Sequence, residues 1–267
     1  MEIRFEDRVT LAVADGVATL ALDRPKALNA LDDAMAAGIA AAASRCEADE
    51  AVRAVVLTGG EHFMAGGDLR SFAARLGTGE GTTAAFEATI HRVHAGILVL
   101  RRMPKPVVAA VRGACAGFGM SLMMACDLAV AAEDAYFTLA YVNIGTSPDG
   151  GSTFALPRLV GTRRAMELAL LGDRFGAADA LRLGLVNSVV PADRVNAEAT
   201  ALAARLAAGP GLAIARTKRL VNASFENSLE TQLQAEAEAF AASAVTEDFA
   251  EGVRAFLAKR PPQFRGH

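Results

Sequence analysis

The sequence predicts an α/β fold: an N-terminal core in which strands alternate with helices, then a helical C-terminal region. Three observations carry that expectation. Val52–Thr58, Val107–Val111 and Leu128–Ala132 are short apolar runs without alternation, the pattern of strands buried on both faces. Helical stretches separate them, as in right-handed βαβ crossovers stacked into a largely parallel sheet. After about Gly161 the pattern becomes helical almost throughout. With 267 residues, 52% hydrophobic and 21% charged, the chain has ample material for a core, which excludes wholesale disorder.

In chain order, Val9–Ala14 and Val17–Leu22 are β-like runs joined by Asp15-Gly16, a pair suited to a tight hairpin. Asp23-Arg24-Pro25 ends the second run, and Asp32-Asp33 provides a helix cap for a helix through about Glu47. The strand Val52–Thr58 follows. The glycines of Arg75–Thr83 (Gly77, Gly79, Gly81) predict a mobile loop. A helix over Ala84–Arg101 precedes Pro104-Lys105-Pro106, then come the strand Val107–Val111, a helix starting near Gly117 and the strand Leu128–Ala132. Helices are expected over Arg163–Leu171, Ala177–Leu183, Ala192–Ala208, Gly211–Ala223, Leu229–Ala242 and Thr246–Lys259, with one strand-like interruption at Leu185–Val190. No fixed period marks an internal repeat.

Several function classes drop out on composition. A net charge of −3 gives no basic excess for a large nucleic-acid footprint. Mean hydropathy of +0.28 raises the question of a membrane span. The most membrane-like uncharged run, Gly113 to Cys126, falls short of the roughly 20 residues a span requires. The N-terminus, MEIRFEDRVT, is charged and lacks an apolar signal core, so a cytoplasmic protein without membrane contact is expected. Cys46, Cys115 and Cys126 show no metal-ligand spacing and read as reduced thiols. No metal is expected.

Two glycine-rich segments follow buried strands: Phe63-Met64-Ala65-Gly66-Gly67-Asp68-Leu69 and Gly113-Ala114-Cys115-Ala116-Gly117-Phe118-Gly119. Glycines at a strand end allow sharp turns and close approach to a ligand, and a helix starting at 117–119 offers free N–H groups. Two such turns side by side would form an oxyanion hole; tight turns made only for packing are the alternative. A dinucleotide fingerprint fails because Leu122 stands at its last glycine, and neither GxxxxGK[ST] nor GxSxG occurs.

Arg24-Pro-Lys-Ala-Leu-Asn-Ala-Leu31, Phe63–Leu69, Lys105–Gly113, Cys126-Asp-Leu-Ala-Val130, Arg158-Leu-Val-Gly161 and Glu251–Arg260 together resemble the crotonase (enoyl-CoA hydratase/isomerase) superfamily, in order and over nearly the whole chain. The resemblance implies a spiral of ββα repeats over residues 1–195 and a helical trimerisation region over 196–267. It also implies trimers or dimers of trimers, acyl-CoA thioester substrates and no separate cofactor, since coenzyme A belongs to the substrate. Carried onto this chain, it places the oxyanion donors at the backbone amides of Gly67 and Phe118. Lys26, Ala27, Leu28, Ala65, Asp68, Leu69 and Arg70 would line the coenzyme A path. Phe256 and Lys259 match positions that reach the coenzyme A of a neighbouring subunit.

The family's hydratases position water with two glutamates. Here those positions hold Ser121 and Tyr141, read as a small helix residue and a pocket wall. Asp149, in Ser147-Pro148-Asp149-Gly150-Gly151, stands where several branches carry a functional aspartate, although Pro-Asp-Gly is also a favoured turn. The pattern is most similar to phenylacetate-pathway ring-epoxide/oxepin-CoA isomerases and Δ3,Δ2-enoyl-CoA isomerases. A lone carboxylate beside an oxyanion hole suffices to move a proton between C2 and C4. His94 matches the active-site histidine of 4-chlorobenzoyl-CoA dehalogenase, where the aspartate is a nucleophile; as an ordinary helix residue it would only lend a hydrogen bond. The expectation is an acyl-CoA isomerase of fatty-acid or phenylacetate metabolism. A hydratase or hydrolytic dehalogenase is the alternative, and an inactive CoA-binding scaffold is the alternative of another class.

Overall fold

The computed structural model describes residues 2–79 and 82–266. The chain opens with strands β1 (Glu2–Phe5), β2 (Val9–Ala14) and β3 (Val17–Leu22), helix α1 (Asp33–Ala48) and strand β4 (Ala54–Thr58). Helices α2 (Leu69–Gly77) and α3 (Thr83–Arg102) lead to β5 (Val107–Val111), β6 (Ala114–Ala116), α4 (Phe118–Ala125), β7 (Leu128–Ala132) and β8 (Tyr136–Thr138). Next come α5 (Ser152–Val160), α6 (Thr162–Leu171), β9 (Phe175–Gly176), α7 (Ala177–Arg182) and β10 (Ser188–Val190). The remainder is helical: α8 (Val195–Ala207), α9 (Gly211–Ala223), α10 (Leu229–Ala244) and α11 (Glu247–Leu257).

The main sheet has the order β1-β2-β3-β4-β5-β7-β10. β1, β2 and β3 pair antiparallel, and from β3 onward every pairing is parallel. Asp15 and Gly16 both take positive φ (49° and 79°), the backbone of a hairpin turn whose twist matches its strands. β4 and β5 are buried along their whole length, which explains their lack of alternation. A second, three-stranded sheet has the order β6-β8-β9. This is an α/β fold of repeated strand–helix units with a helical C-terminal region, as the sequence predicts.

Local chemistry fixes the ends of these elements. The Asp32 carboxylate accepts from the Met35 amide at 2.7 Å and caps α1. Lys105 donates to the carbonyls of Cys46 and Asp49 at the far end of α1, at 2.7 and 2.6 Å. Asp127 accepts from the Val107 amide at 2.8 Å and from Lys218 at 2.7 Å, pinning the start of β5 to α9.

Some boundaries differ from the sequence expectation. Arg75–Gly77 belong to α2, so the loop expected over Arg75–Thr83 shrinks to residues 78–82; Glu80 and Gly81 lie outside the described residues. Asp68 caps α2 by accepting from the Arg70 and Ser71 amides, which overrides the glycines at its far end. Helix resumes at Ser152 rather than near Gly161. Val195, Ala199, Ala203 and Ala207 of α8 are buried, and α8 packs on β4, β5 and β7. α8 thus covers the main sheet at the start of the C-terminal helices.

Beyond α8 little is buried within the chain. α9 buries no residue, α10 only Ala239, and α11 only Asp248 and Ala255. Large apolar side chains stand in the open, among them Phe240 (68% exposed), Val245 (86%) and Phe256 (83%). Two hollows are found here. A basic cleft of about 500 Å³ lies between Arg101–Pro104 and α9, and an apolar groove of about 380 Å³ lies between α9 and α11. Among the described residues no helix is long and apolar enough to cross a membrane, and no His, Cys, Asp or Glu cluster is suited to a metal.

Candidate active site

The two glycine-rich segments meet. The Phe63 amide donates to the Arg112 carbonyl (2.8 Å), Met64 to Ala114 (2.9 Å) and Ala116 back to Met64 (2.9 Å), drawing the turns alongside each other. They end in contact: a Cβ on Gly117 would lie 3.4 Å from the Gly66 Cα. Gly66 has φ 94°, and Gly117 has φ 51° and ψ −120°, backbone states that L side chains rarely adopt. Each of these glycines sets the amide that follows it, Gly67 and Phe118. Among the described residues neither amide has an acceptor. The Phe118 amide lies at the first turn of α4, where N–H groups are free and carry partial positive charge. Two unpaired backbone donors on touching turns are the elements of an oxyanion hole.

A buried side chain, unassigned in the sequence reading, holds the first turn. Asn29 is 1% exposed. Its Nδ2 donates to the carbonyls of Gly59 and His62, both at 2.7 Å, and its Oδ1 accepts from the Arg24 amide at 2.8 Å. Arg24 in turn donates to Asp68 (2.7 Å) and to the Ala30 carbonyl (2.9 Å). Partial burial works against the Asp68 carboxylate, but Arg24 and the capped amides hold its pKa below the usual range. Asp68 is thus turned inward as a brace, while Leu69 and Arg70 are exposed. Lys26 and Leu28 are also exposed, and the Leu28 carbonyl accepts from the Ala65 amide at 3.0 Å, so residues 26–28 run beside Ala65.

The second turn carries the polar cluster. Tyr141 donates to Asp149 Oδ1 at 2.5 Å. The Ser121 Oγ lies 3.2 Å from the Tyr141 hydroxyl and donates to the Asp149 carbonyl at 2.9 Å. Ser152, which sequence reasoning missed, donates to the same carbonyl through both its hydroxyl and its amide. His94 Nε2 accepts from the Gly150 amide at 3.2 Å, which makes His94 a hydrogen-bond partner of the turn. Gly150 lies so close that a Cβ there would be 2.7 Å from the Ser121 Cβ and 2.8 Å from the Phe118 ring. The Asp149–Gly150 turn is therefore stacked on Phe118, whose amide has no acceptor among the described residues.

Burial raises the Asp149 carboxyl above the usual range, against the opposing hydrogen bond from Tyr141 and the influence of His94. Burial, with Asp149 adding to it, also pushes the Tyr141 hydroxyl up, so it stays protonated and remains a donor. Ser121, Tyr141, His94, Asp149 and Phe118 are thus brought together. Phe256 and Lys259 are not: they lie on α11 and just beyond it, and the hydrogen bonds and packing that join the other residues do not reach them. The three cysteines are free, as expected.

Known proteins resemble this chain over nearly its whole length. The family model described as Enoyl-CoA hydratase/isomerase matches residues 12–267. A protein of Rhodobacter capsulatus named "Probable enoyl-CoA hydratase" is 40% identical over 99% of this chain and 98% of its own length. The 1,2-epoxyphenylacetyl-CoA isomerase of Escherichia coli is 38% identical over 95% of this chain and 97% of its own. Among solved structures, an enoyl-CoA hydratase from a Polaromonas species superposes with a TM-score of 0.91 at 37% identity, covering 96% of this chain and 99% of that one.

Proposed function

The chain belongs to the enoyl-CoA hydratase/isomerase family, and from that premise we propose that it is an acyl-CoA isomerase that shifts a double bond, with Asp149 as the acid/base. The single observation that carries this reading is the make-up of the cluster on Phe118. Among the described residues Asp149 is its only carboxylate, and Ser121 and Tyr141 stand beside it as neutral hydroxyls. A carboxylate raised by burial is suited both to accept a proton and to give it back.

In this reading a 3-enoyl thioester loses a C2 proton to Asp149. The electron pair moves onto the thioester oxygen, where the amides of Gly67 and Phe118 meet the developing charge. One such donor is typically worth about 3–4 kcal/mol. Asp149 then returns the proton to C4, the carbonyl re-forms, and the double bond lies between C2 and C3. Residues 26–28, Ala65, Leu69 and Arg70 would border the coenzyme A arm. Phe256 and Lys259 would serve the site of a neighbouring subunit in a trimer or a dimer of trimers. The exposed apolar residues of α9–α11 support such an assembly.

Hydration is the second reading, favoured by the hydratase names that most of the similar proteins carry. It would require Asp149 to direct water alone or with His94. One experiment separates the readings. 3-Enoyl-CoA and 2-enoyl-CoA thioesters, straight-chain and aromatic, are incubated in deuterated and in oxygen-18 water and followed by mass spectrometry. Deuterium at C2 or C4 without new oxygen, abolished by Asp149→Asn while thioester binding persists, is the expected result. Oxygen incorporation as the main product, or full turnover in Asp149→Asn, would overturn the isomerase reading.

A further inference from the structure

The Asp149 side chain has one engaged oxygen and one free one. Oδ1 is held by the Tyr141 hydroxyl at 2.5 Å, while Oδ2 has no partner among the described residues. The backbone around it is equally constrained. The Asp149 carbonyl receives the Ser121 and Ser152 hydroxyls and the Ser152 amide, and the Gly150 amide is tied to His94. The carboxylate therefore cannot rotate without breaking a charge-assisted hydrogen bond in a partly buried setting.

We propose that Tyr141 is a positioning residue that makes Asp149 a one-oxygen base, so that Oδ2 alone takes the proton from one carbon and returns it to the other. This rests on the isomerase reading and deepens it. The C2–H bond breaks, its proton goes to Oδ2, and its electron pair goes to the thioester oxygen. In the return step the Oδ2–H bond breaks, a C4–H bond forms and the thioester carbonyl is restored. Tyr141 keeps its own proton throughout. Because one oxygen performs both steps, the proton leaves and re-enters on the same face of the substrate. Part of a label placed at C2 reaches C4 before solvent replaces it.

The test uses the full-length protein and C2-deuterated 3-enoyl-CoA. In Tyr141→Phe, kcat is expected to fall about tenfold, as loss of a hydrogen bond to a charged group would give, with KM little changed. The acid limb of kcat/KM moves to higher pH, because the lost bond favoured the ionised carboxylate. The fraction of label carried to C4 drops, since the freed carboxyl presents either oxygen. A tyrosine that merely fills space would lower rates without moving the limb or the label fraction.

A second measurement preserves packing. The chain has only two tyrosines, so 3-fluorotyrosine incorporated in a Tyr136→Phe background replaces Tyr141 alone. Its more acidic hydroxyl donates more strongly and should move the acid limb the opposite way, to lower pH. An unmoved limb and an unchanged label fraction in both proteins overturn the role of Tyr141. If Asp149→Asn still carries label from C2 to C4, the isomerase reading itself falls, whatever Tyr141 does.

Discussion

Replacing Asn29 with alanine tests whether this side chain braces the turn that carries Gly67. Three well-formed hydrogen bonds are lost, to the carbonyls of Gly59 and His62 and from the amide of Arg24. At roughly 1 kcal/mol net apiece they set a floor of about 3 kcal/mol. Asn29 also sits at φ 55°, where asparagine is tolerated and alanine costs a further kcal/mol or so. The expected loss in Asn29→Ala is therefore about 4 kcal/mol. Asn29→Gly, which removes the side chain but not the backbone freedom, should lose about 1 kcal/mol less. Equilibrium urea denaturation followed by circular dichroism, at one fixed protein concentration, measures both. A loss under about 1 kcal/mol in Asn29→Ala, or identical losses in the two variants, would refute the reasoning.

Two other outcomes follow from the site. Asp149 has a folded pKa raised by burial, so its ionised form destabilises the fold above that pKa, and the penalty fades as pH falls through it toward the unfolded value. Asp149→Asn should therefore raise the Tm at mildly alkaline pH and lose that advantage in acid, as thermal melts across pH would show. Gly117→Ala meets no close atom, its nearest neighbour being the Gly66 Cα at 3.4 Å, but it cannot hold φ 51° with ψ −120° at ease. The chain should fold with a modestly lowered Tm while kcat drops about a hundredfold, the scale of losing one oxyanion donor; unchanged kcat would remove Phe118 from that role.

The parts of the fold that were legible in the sequence are those whose signal is local. The hairpin Val9–Ala14/Val17–Leu22 is written in Asp15-Gly16, and β5 and β7 in uninterrupted apolar runs, so their bounds agree with the structure. Helix α2 was missed because its cap, Asp68, stands in a glycine-rich stretch; the spacing to the Ser71 amide was the available clue. The second sheet has strands of two and three residues, too short for any periodicity to register. In the site, both glycine turns were readable because each follows a buried strand, while their use for packing or for a ligand stayed open in the sequence. The union of Ser121, Tyr141 and Asp149 was not. Ser121 lies 28 residues from Asp149, and only the stacking of Gly150 on Phe118 brings the three together. Asn29 gave little local sign either: the acceptors of its amide lie thirty or more residues away, and only the Arg24 amide, five residues back, is near.

The close approach of Gly66 and Gly117 separates what backbone and side chains contribute to the proposed site. The Gly67 and Phe118 amides are set largely by backbone against backbone, through the Met64 ladder and the close approach of two glycines, with the Asn29 side chain bracing the first turn. The groups packed beside them, by contrast, are side chains: the Phe72 ring against Gly67, the Phe118 ring against Gly150, and Tyr141 on Asp149. If the two amides act as proposed, substitutions in these side chains would leave the donors in place, and acyl selectivity would vary separately from oxyanion stabilisation.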